Sequence, residues 1–406
     1  MTRHIRAGAA FVVAAAGLLA ARSAYAQDAG TTPDCTTLPN PVYLIGSSAY
    51  EATLKAFAVK LAAETTPTTV VYQKPNSCTG VAAITASTPL TGTGIYYTLS
   101  GTTIVSNNCT FPSSGPVPDV GVSDVFYESC TNVTPTTRPT TLGDFFGPVQ
   151  AMEIVVPKSN TSTSYITAQE AQDIWGCGPS AGIATFTQAG GIFCRDYTSG
   201  TQIIISDAIG LNPMAVLGIS ESSSGNMASA VAGFATPTAS IGFIGADVYD
   251  SDRATLNALA FQAFGQTKAY YADSSSSAVD RQNVRDGHYF PWGYEHLFAQ
   301  VNSSGVATDA KAANIIGILT GTRVDPNFDY VQVDGKAGTI PLCAMSVQKT
   351  NDLPGYLSPY TPSDTCTCDF LTALSGTAPS TCTVCSTTDG GTACSGGKSC
   401  HHGYCE

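Results

Sequence analysis

Four times in this chain a short apolar run ends in glycine, serine or threonine, and each such turn begins or precedes a helical repeat. The turns are Gly46-Ser47-Ser48-Ala49, Ser77-Cys78-Thr79-Gly80, Ser123-Asp124 and Ser199-Gly200-Thr201. PVYLIGSS predicts a strand running into the first of them. AYEATLKAFAVKLAAE then spaces Leu54, Phe57, Ala58 and Leu61 on one helical face. TTVVYQ predicts a second strand, KPNSCTGVAAIT a turn that opens a helix, and PDVGVSDVF a strand ending in Ser123-Asp124. This strand–helix–strand order indicates a parallel α/β layer.

A second unit starts near FFGPVQAMEIVVPK, with EIVVP as a strand. Thr167, with Glu170 three residues on, is a capping-box pattern, and Gly176 or Gly178 can end the helix it opens. GGIFCRDYTSGTQIIISDAIGL reads as strand, turn and helix. SSSGNMASAVAGFATPTASIGFIGADVY reads as a helix and then the strand SIGFIGADVY, and mixed α/β pattern continues through Leu319. From Cys366 the chain is rich in Gly, Ser, Thr and Cys with little to bury, so bridges are expected to order it.

Residues 1–26 read as a signal peptide. Arg3 and Arg6 precede the apolar AAFVVAAAGLLAA, and Ala24-Tyr25-Ala26 supplies a small-x-small cleavage pattern. Residues 27–41 read as a linker. No later apolar stretch reaches the ~18–20 residues of a membrane span, so the mature chain is expected to be periplasmic or secreted, with no membrane span. Losing Arg3, Arg6 and Arg22 takes the net charge from −12 to −15. Such a chain is a poor partner for nucleic acid or anionic membrane, and any anion site in it must be local. All 14 cysteines follow the signal: seven in the body through Cys343 and seven from Cys366 on. In an exported chain they read as disulfides. Because both counts are odd, full pairing requires a bridge between body and tail. Cys109–Cys130 and Cys177–Cys194 are the expected short-loop pairs.

In an open α/β sheet the ligand crevice lies at the carboxyl ends of strands, where these four turns fall. A helix N-terminus offers free N–H donors and partial positive charge, so it can hold an anion without a lysine. Gly200 permits close backbone approach. Arg195, four residues before Ser199, adds a bidentate fork suited to two oxygens of one oxyanion. Asp124 supplies discrimination. A carboxylate repels a fully deprotonated guest and accepts a hydrogen bond from one that keeps a proton, as phosphate does and sulfate does not. An unpaired acceptor facing sulfate would cost about 1–3 kcal/mol.

The order and spacing of these motifs resemble the phosphate-binding proteins of ABC importers, in the type II periplasmic binding-protein superfamily. The resemblance runs from about Val42 to Leu319. IGSSAYEATL is similar to the family's first turn, Asn76-Ser77-Cys78-Thr79-Gly80 to its Gly-Ser-Ser-Gly-Gly, and Gly121-Val122-Ser123-Asp124 to its Gly-Ala-Ser-Asp. Arg195, Ser199, Gly200 and Thr201 keep the spacing of its arginine and Ser-Gly-Thr. PTASIGFIGADVY is similar to its Pro-x-x-Ile-Gly-Tyr strand, and GHYFPWGYEHLF resembles its later Tyr-Pro segment. The resemblance implies a two-lobed fold, with lobe one at 42–147 and 247–360, lobe two at 148–246, and a cysteine-rich tail at 361–406. It implies an exported, non-enzymatic solute-binding protein that captures phosphate or a related oxyanion between the lobes for an ABC importer permease. The implied ligand-binding residues are Ser48, Ser77, Ser123, Asp124, Arg195, Ser199, Gly200 and Thr201, with no cofactor and no metal. Ser48 is the nearest counterpart of the family's first-turn hydroxyl. Tyr197 replaces the acid that often orients the arginine, while Asp196 lies one residue earlier.

Two other classes compete. A surface or adhesive protein on the same fold would have a decayed site and a working tail. A secreted hydrolase would need a histidine near Ser48 or Ser199, and His288 is the plausible supplier. The chain has no Gly-x-Ser-x-Gly elbow and no Walker loop. His288 and His296 are expected in the core or at its rim, and the tail cysteines in bridges rather than on metal.

Overall fold

The predicted strand–turn–helix units form in order. Residues 32–386 and 393–406 are described by the computed structural model, and the signal-peptide expectation for 1–26 lies outside them. Strand β1 (Pro41–Gly46) leads into helix α1 (Glu51–Ala62), then β2 (Thr69–Gln73) and α2 (Ser77–Thr85). Leu54, Phe57, Ala58 and Leu61 are all buried, as their spacing predicts. The Thr/Gly-rich stretch that follows is a hairpin, β3 (Gly92–Ser100) and β4 (Thr103–Phe111), at the sheet edge. Next come β5 (Val120–Ser123) and a 16-residue strand, β6 (Leu142–Pro157).

The chain continues through β7 (Tyr165–Thr167), α3 (Ala168–Cys177), β8 (Phe193–Cys194), α4 (Gly200–Ile209), β9 (Ile219–Ser220), α5 (Ser224–Gly233), β10 (Gly242–Gly245), α6 (Ala246–Asp252), β11 (Leu256–Ala258) and β12 (Ala260–Gln262). The Thr167–Glu170 capping box is present, and Gly178 ends α3 at φ +58°. The strand read through Tyr249 is short. After Gly245 the chain is helical, because Asp247 opens a turn rather than extending a sheet. Helix α7 (Gln282–Arg285) and strand β13 (Trp292–Gln300) bring the chain back, followed by α8 (Ala310–Leu319), α9 (Tyr330–Ala337) and α10 (Thr367–Ser375).

One sheet runs through both lobes in the order β10-β6-β13-β5-β1-β2-β3-β4, with β11 also on β6. The β1–β2 and β1–β5 pairs are parallel, and β13 is antiparallel to both β5 and β6. From Gly147 to Pro157 every residue of β6 is buried, the mark of a strand covered on both faces. The β6–β13 ladder has one irregularity. Tyr294 faces Val149 and His296 faces Phe146, so Gly147 and Pro148 together oppose Glu295. Proline has no N–H for a ladder, and a bulge is where a strand tolerates it.

The cysteine pairing differs from expectation. Cys109 pairs with Cys35 and Cys130 with Cys78, while Cys177 and Cys194 are free thiols. Sequence proximity misled here because the bridges join segments brought together by the sheet. Cys35–Cys109 ties the linker to the edge hairpin. Full pairing therefore does not occur, but the expected body–tail bridge is present as Cys343–Cys366. Cys368–Cys382, Cys385–Cys400 and Cys394–Cys405 staple the tail. The tail also has a small core of its own, contrary to the composition: α10 packs on α9, with Phe370 fully buried and Ala373 against Gly335. Thr367 and Cys368 donate their N–H groups to Glu406.

Phe370→Ala is expected to destabilise the protein by about 3–5 kcal/mol in chemical denaturation, the cost of a large buried cavity. A change below about 1 kcal/mol would show that the bridges alone hold the tail.

Candidate functional site

The four turns meet where the lobes touch. Gly46 leaves β1 at φ +147°, and a Cβ there would lie 1.8 Å from the Val122 carbonyl oxygen, so only glycine fits. This close approach brings the first turn onto the end of β5. Ser47 N–H donates to the Val122 carbonyl at 3.0 Å, its Oγ accepts from Ala49 N at 3.0 Å, and its carbonyl accepts from the Tyr72 hydroxyl. Ser47 is buried, whereas Ser48, the expected first-turn ligand, is half-buried on the outer cleft. Strict strand alternation does not survive the Gly46 turn, so the hydroxyl one position earlier faces inward.

Ser77 begins α2 and is buried. Its Oγ accepts the Gly200 N–H at 3.1 Å, and Cys78 N–H donates to the Thr198 carbonyl at 3.0 Å. These two bonds join the lobes. Ser123 does not contribute: its hydroxyl donates to Val125 O at 2.8 Å and accepts from Val125 N at 3.2 Å, so a local turn consumes it. Asp124 is buried, and its Oδ1 has no hydrogen-bond partner among the described residues. Burial raises its pKa, while Ser47, Glu295, Arg195 and Ser77 pull it back.

Arg195 follows β8 and is 3% exposed. Its N–H donates to Gln202 Oε1 at 2.8 Å, Nη2 to Ser222 O at 3.2 Å, and Nη1 to Ser224 Oγ at 3.4 Å. Its Nε, also buried, has no partner among the described residues. Burial lowers its pKa, and Asp124, Asp196 and Glu221 oppose that shift. Asp196 does not orient the guanidinium by a hydrogen bond; it holds the turn by accepting from Thr198 N at 2.9 Å. Ser222 and Ser224 take that orienting role, and the sequence reading missed them. The SSSG run that opens α5 was their only signal.

Ser199 is the N-cap of α4, and its hydroxyl makes no capping bond. Ser199, Gly200 and Thr201 are all buried. A Cβ on Gly200 would fall 2.6 Å from Ser77 Oγ and 2.7 Å from Asp124 Oδ2, so the helix tip fits against the opposite lobe only as glycine. Helix N–H groups, hydroxyls and a guanidinium surround one acceptor here, an arrangement suited to an oxyanion that retains a proton. Above this sealed point lies an open cleft of about 1150 Å³, lined by residues that include Ser48, Lys55, Lys74, Ser224, Asp247 and Lys336. Ser77, Asp124, Arg195 and Gly200 do not line it. Ser48 and Ser224 do line it; Ser48 is a chain neighbour of the buried first turn, and Ser224 is a hydrogen-bond partner of Arg195.

Other candidates lie apart. His296 is buried with Nδ1 2.8 Å from Asp144, and His288 stacks on Tyr270. Cys385, Cys394 and Cys405 cluster closely, but each is in a disulfide and offers no thiolate to a metal.

No protein-family model matches the chain, and no curated protein matches it. Solved structures do. One is a Clostridium perfringens protein described as a phosphate ABC transporter substrate-binding protein with bound phosphate. It is 14% identical, with a TM-score of 0.50, over 75% of this chain and 100% of its own. Another is an ABC-type phosphate transport receptor from Vibrio cholerae, 15% identical, with a TM-score of 0.47, over 74% of this chain and 99% of its own. The first likeness shows the fold: a two-lobed α/β periplasmic binding-protein architecture, here carrying a disulfide-stapled C-terminal segment.

Two outcomes follow from this geometry. Gly200→Ala is expected to hold the lobes apart, raising the radius of gyration in small-angle scattering while the fold persists; an unchanged radius would show that the contact is not tight. Stability is expected to fall as pH rises. Burial pushes Asp207 and Asp247 up to about 7 and Glu153 to about 8. Above about pH 4 the unfolded chain releases protons that the folded chain keeps. Stability is therefore full below about pH 4 and is lost as pH rises through about 7 to 8. Lys349, pushed down to about 7 by burial, works the other way only above that value. Unfolding free energy should drop by at least about 1 kcal/mol between about pH 5 and pH 7, and Asp247→Asn should flatten the slope. A flat wild-type profile would contradict this.

Proposed function

We propose that this protein is an exported solute-binding protein that captures phosphate or a related oxyanion by closing its two lobes, and that it delivers the ligand to an ABC importer. The observation that carries this reading is the tip of α4 pressed at Gly200 against Ser77 and Asp124, with Arg195 close enough to favour the ionised Asp124 and with Arg195 Nε and Asp124 Oδ1 buried and unpartnered among the described residues. A buried polar atom without a partner is costly, and an oxyanion with one proton satisfies both at once. Ser47, Ser199, Gly200 and Thr201 complete the set; Ser48 sits at the rim. The fold shared with the phosphate-bearing Clostridium protein supports this reading. Six disulfides support an oxidising compartment. Function then resides in ligand-driven population shift rather than catalysis.

A second reading has one observation in its favour. Gly200 N–H already bonds to Ser77, and two guanidinium nitrogens of Arg195 already bond to Ser222 and Ser224. A cleft satisfied by its own walls fits a surface or adhesive protein in which the stapled tail does the work.

Titration calorimetry separates them, using mature protein stripped of ligand by unfolding and refolding. The transport reading expects phosphate to bind with a Kd of about 1 µM or tighter. It expects Arg195→Ala to weaken binding by about 100-fold or more, the cost of removing one partner from a buried charge site. Sulfate should be silent until Asp124→Asn replaces an acceptor with a donor. No heat with either anion would reject the oxyanion reading in favour of the surface protein.

A further inference from the structure

Glu295 lies opposite the bulge in β6, at the centre of the strand pair that joins the lobes. Gly147 makes room for it: a Cβ there would sit 2.9 Å from the Glu295 carbonyl oxygen and 3.6 Å from its Cβ. Glu295 is fully buried, and neither carboxylate oxygen meets a donor among the described residues. Its neighbour is Asp124: β13 runs antiparallel to β5 with His296 opposite Ser123, so the register sets Glu295 opposite Asp124, and each carboxyl shifts the other. Two carboxylates cannot hydrogen-bond to each other; a carboxylic acid and a carboxylate can.

We infer that Glu295 is a specificity-determining residue of the cleft: as the neutral acid it donates to Asp124, and so keeps Asp124 an ionised, pure acceptor for an oxyanion that still carries a proton. The inference rests on the oxyanion reading above and names the ligand class for that site. The ligand is a tetrahedral oxyanion with an ionisable O–H, such as hydrogen phosphate or hydrogen arsenate, and fully deprotonated sulfate is excluded.

The surroundings decide which carboxyl holds the proton. Asp124 faces the Arg195 guanidinium and the hydroxyls of Ser47 and Ser77, all of which favour its ionised form. Glu295 is faced by acids: Asp124 at the end of β5, Asp247 on α6 and Asp334 on α9. The nearby phenols, Tyr50 before α1 and Tyr72 on β2, are neutral, because burial and these same acids raise both well above the ordinary range. Burial above all, and then the Asp124 carboxylate beside it, hold Glu295 well above the usual carboxylate range. The shared proton therefore belongs on Glu295, away from the ligand face, and the pair titrates as a unit. Without a donor behind it, a buried Asp124 would take up the proton itself. It would then offer an O–H to the ligand, and sulfate would become an acceptable guest.

The test combines calorimetry with carboxyl-carbon NMR of protein labelled at Glu and Asp side chains. In ligand-free wild type at neutral pH, the Glu295 signal, assigned by its loss in Glu295→Gln, is expected at the protonated position and should move in Asp124→Asn. Glu295→Gln retains a donor and should leave phosphate affinity near wild type with sulfate still silent. Glu295→Leu removes the donor and should weaken phosphate by about tenfold or more while sulfate binding appears. An ionised Glu295 at neutral pH, or a Glu295→Leu protein that still binds phosphate and rejects sulfate, overturns the inference while leaving the oxyanion reading intact. Wild-type protein that binds neither anion overturns the oxyanion reading and the specificity role together, whatever the NMR signal shows.

Discussion

Where β6 and β13 cross between the lobes, both are buried, so their backbone groups have only the ladder to satisfy them. That requirement shapes the rest of the protein. It forces one sheet to run from the edge hairpin of the first lobe to β10 of the second. It also places the ends of β1, β5 and the chain after β8 around a common point. The one place where the ladder yields, at Gly147-Pro148, lets an acidic side chain, Glu295, enter the interior. The bulge thus links backbone geometry to the electrostatics of the cleft.

The protein is strongly acidic, yet it buries acids by the handful. Arg281, itself fully buried, neutralises part of this load through Asp250 and Asp273. Among the described residues Glu153, Asp247, Glu295 and Asp334 have no comparable ion pair, and they are held toward their neutral forms. Arg195, likewise buried, acts in this population at short range, through its hydrogen bonds, rather than through a positive field. On the oxyanion reading, recognition depends on donors aimed by backbone turns, which is why glycine at positions 46 and 200 matters as much as charge does.

Much of the fold is legible in the sequence because local rules agree there. The apolar spacing of α1, the Thr167–Glu170 cap and the small-residue turns each depend on residues within a few positions of one another. The site was legible only in outline. Arg195, Ser77, Asp124 and Gly200 meet as their turns predict. Ser123 spends its hydroxyl on its own loop, and Ser47 rather than Ser48 faces inward. Ser222 and Ser224 reach Arg195 from 27 and 29 residues away, a distance no local pattern spans. Glu295 carried no signal at all: it sits in an aromatic run, GHYFPWGYEHLF, and only the tertiary structure sets it opposite the bulge in β6.

The sequence by itself determined the alternation of strands and helices, the positions of the glycine turns, and the arithmetic requirement for a bridge between body and tail. These follow from propensity, steric limits and counting, which act along the chain. Tertiary structure decided the cysteine partners, the docking of α10 on α9, the choice of inward-facing hydroxyl and the pairing of two carboxyls. Each of these depends on which segments lie side by side across the sheet. Burial turns that adjacency into energy, because a polar group removed from water must find its partner wherever the fold has placed one.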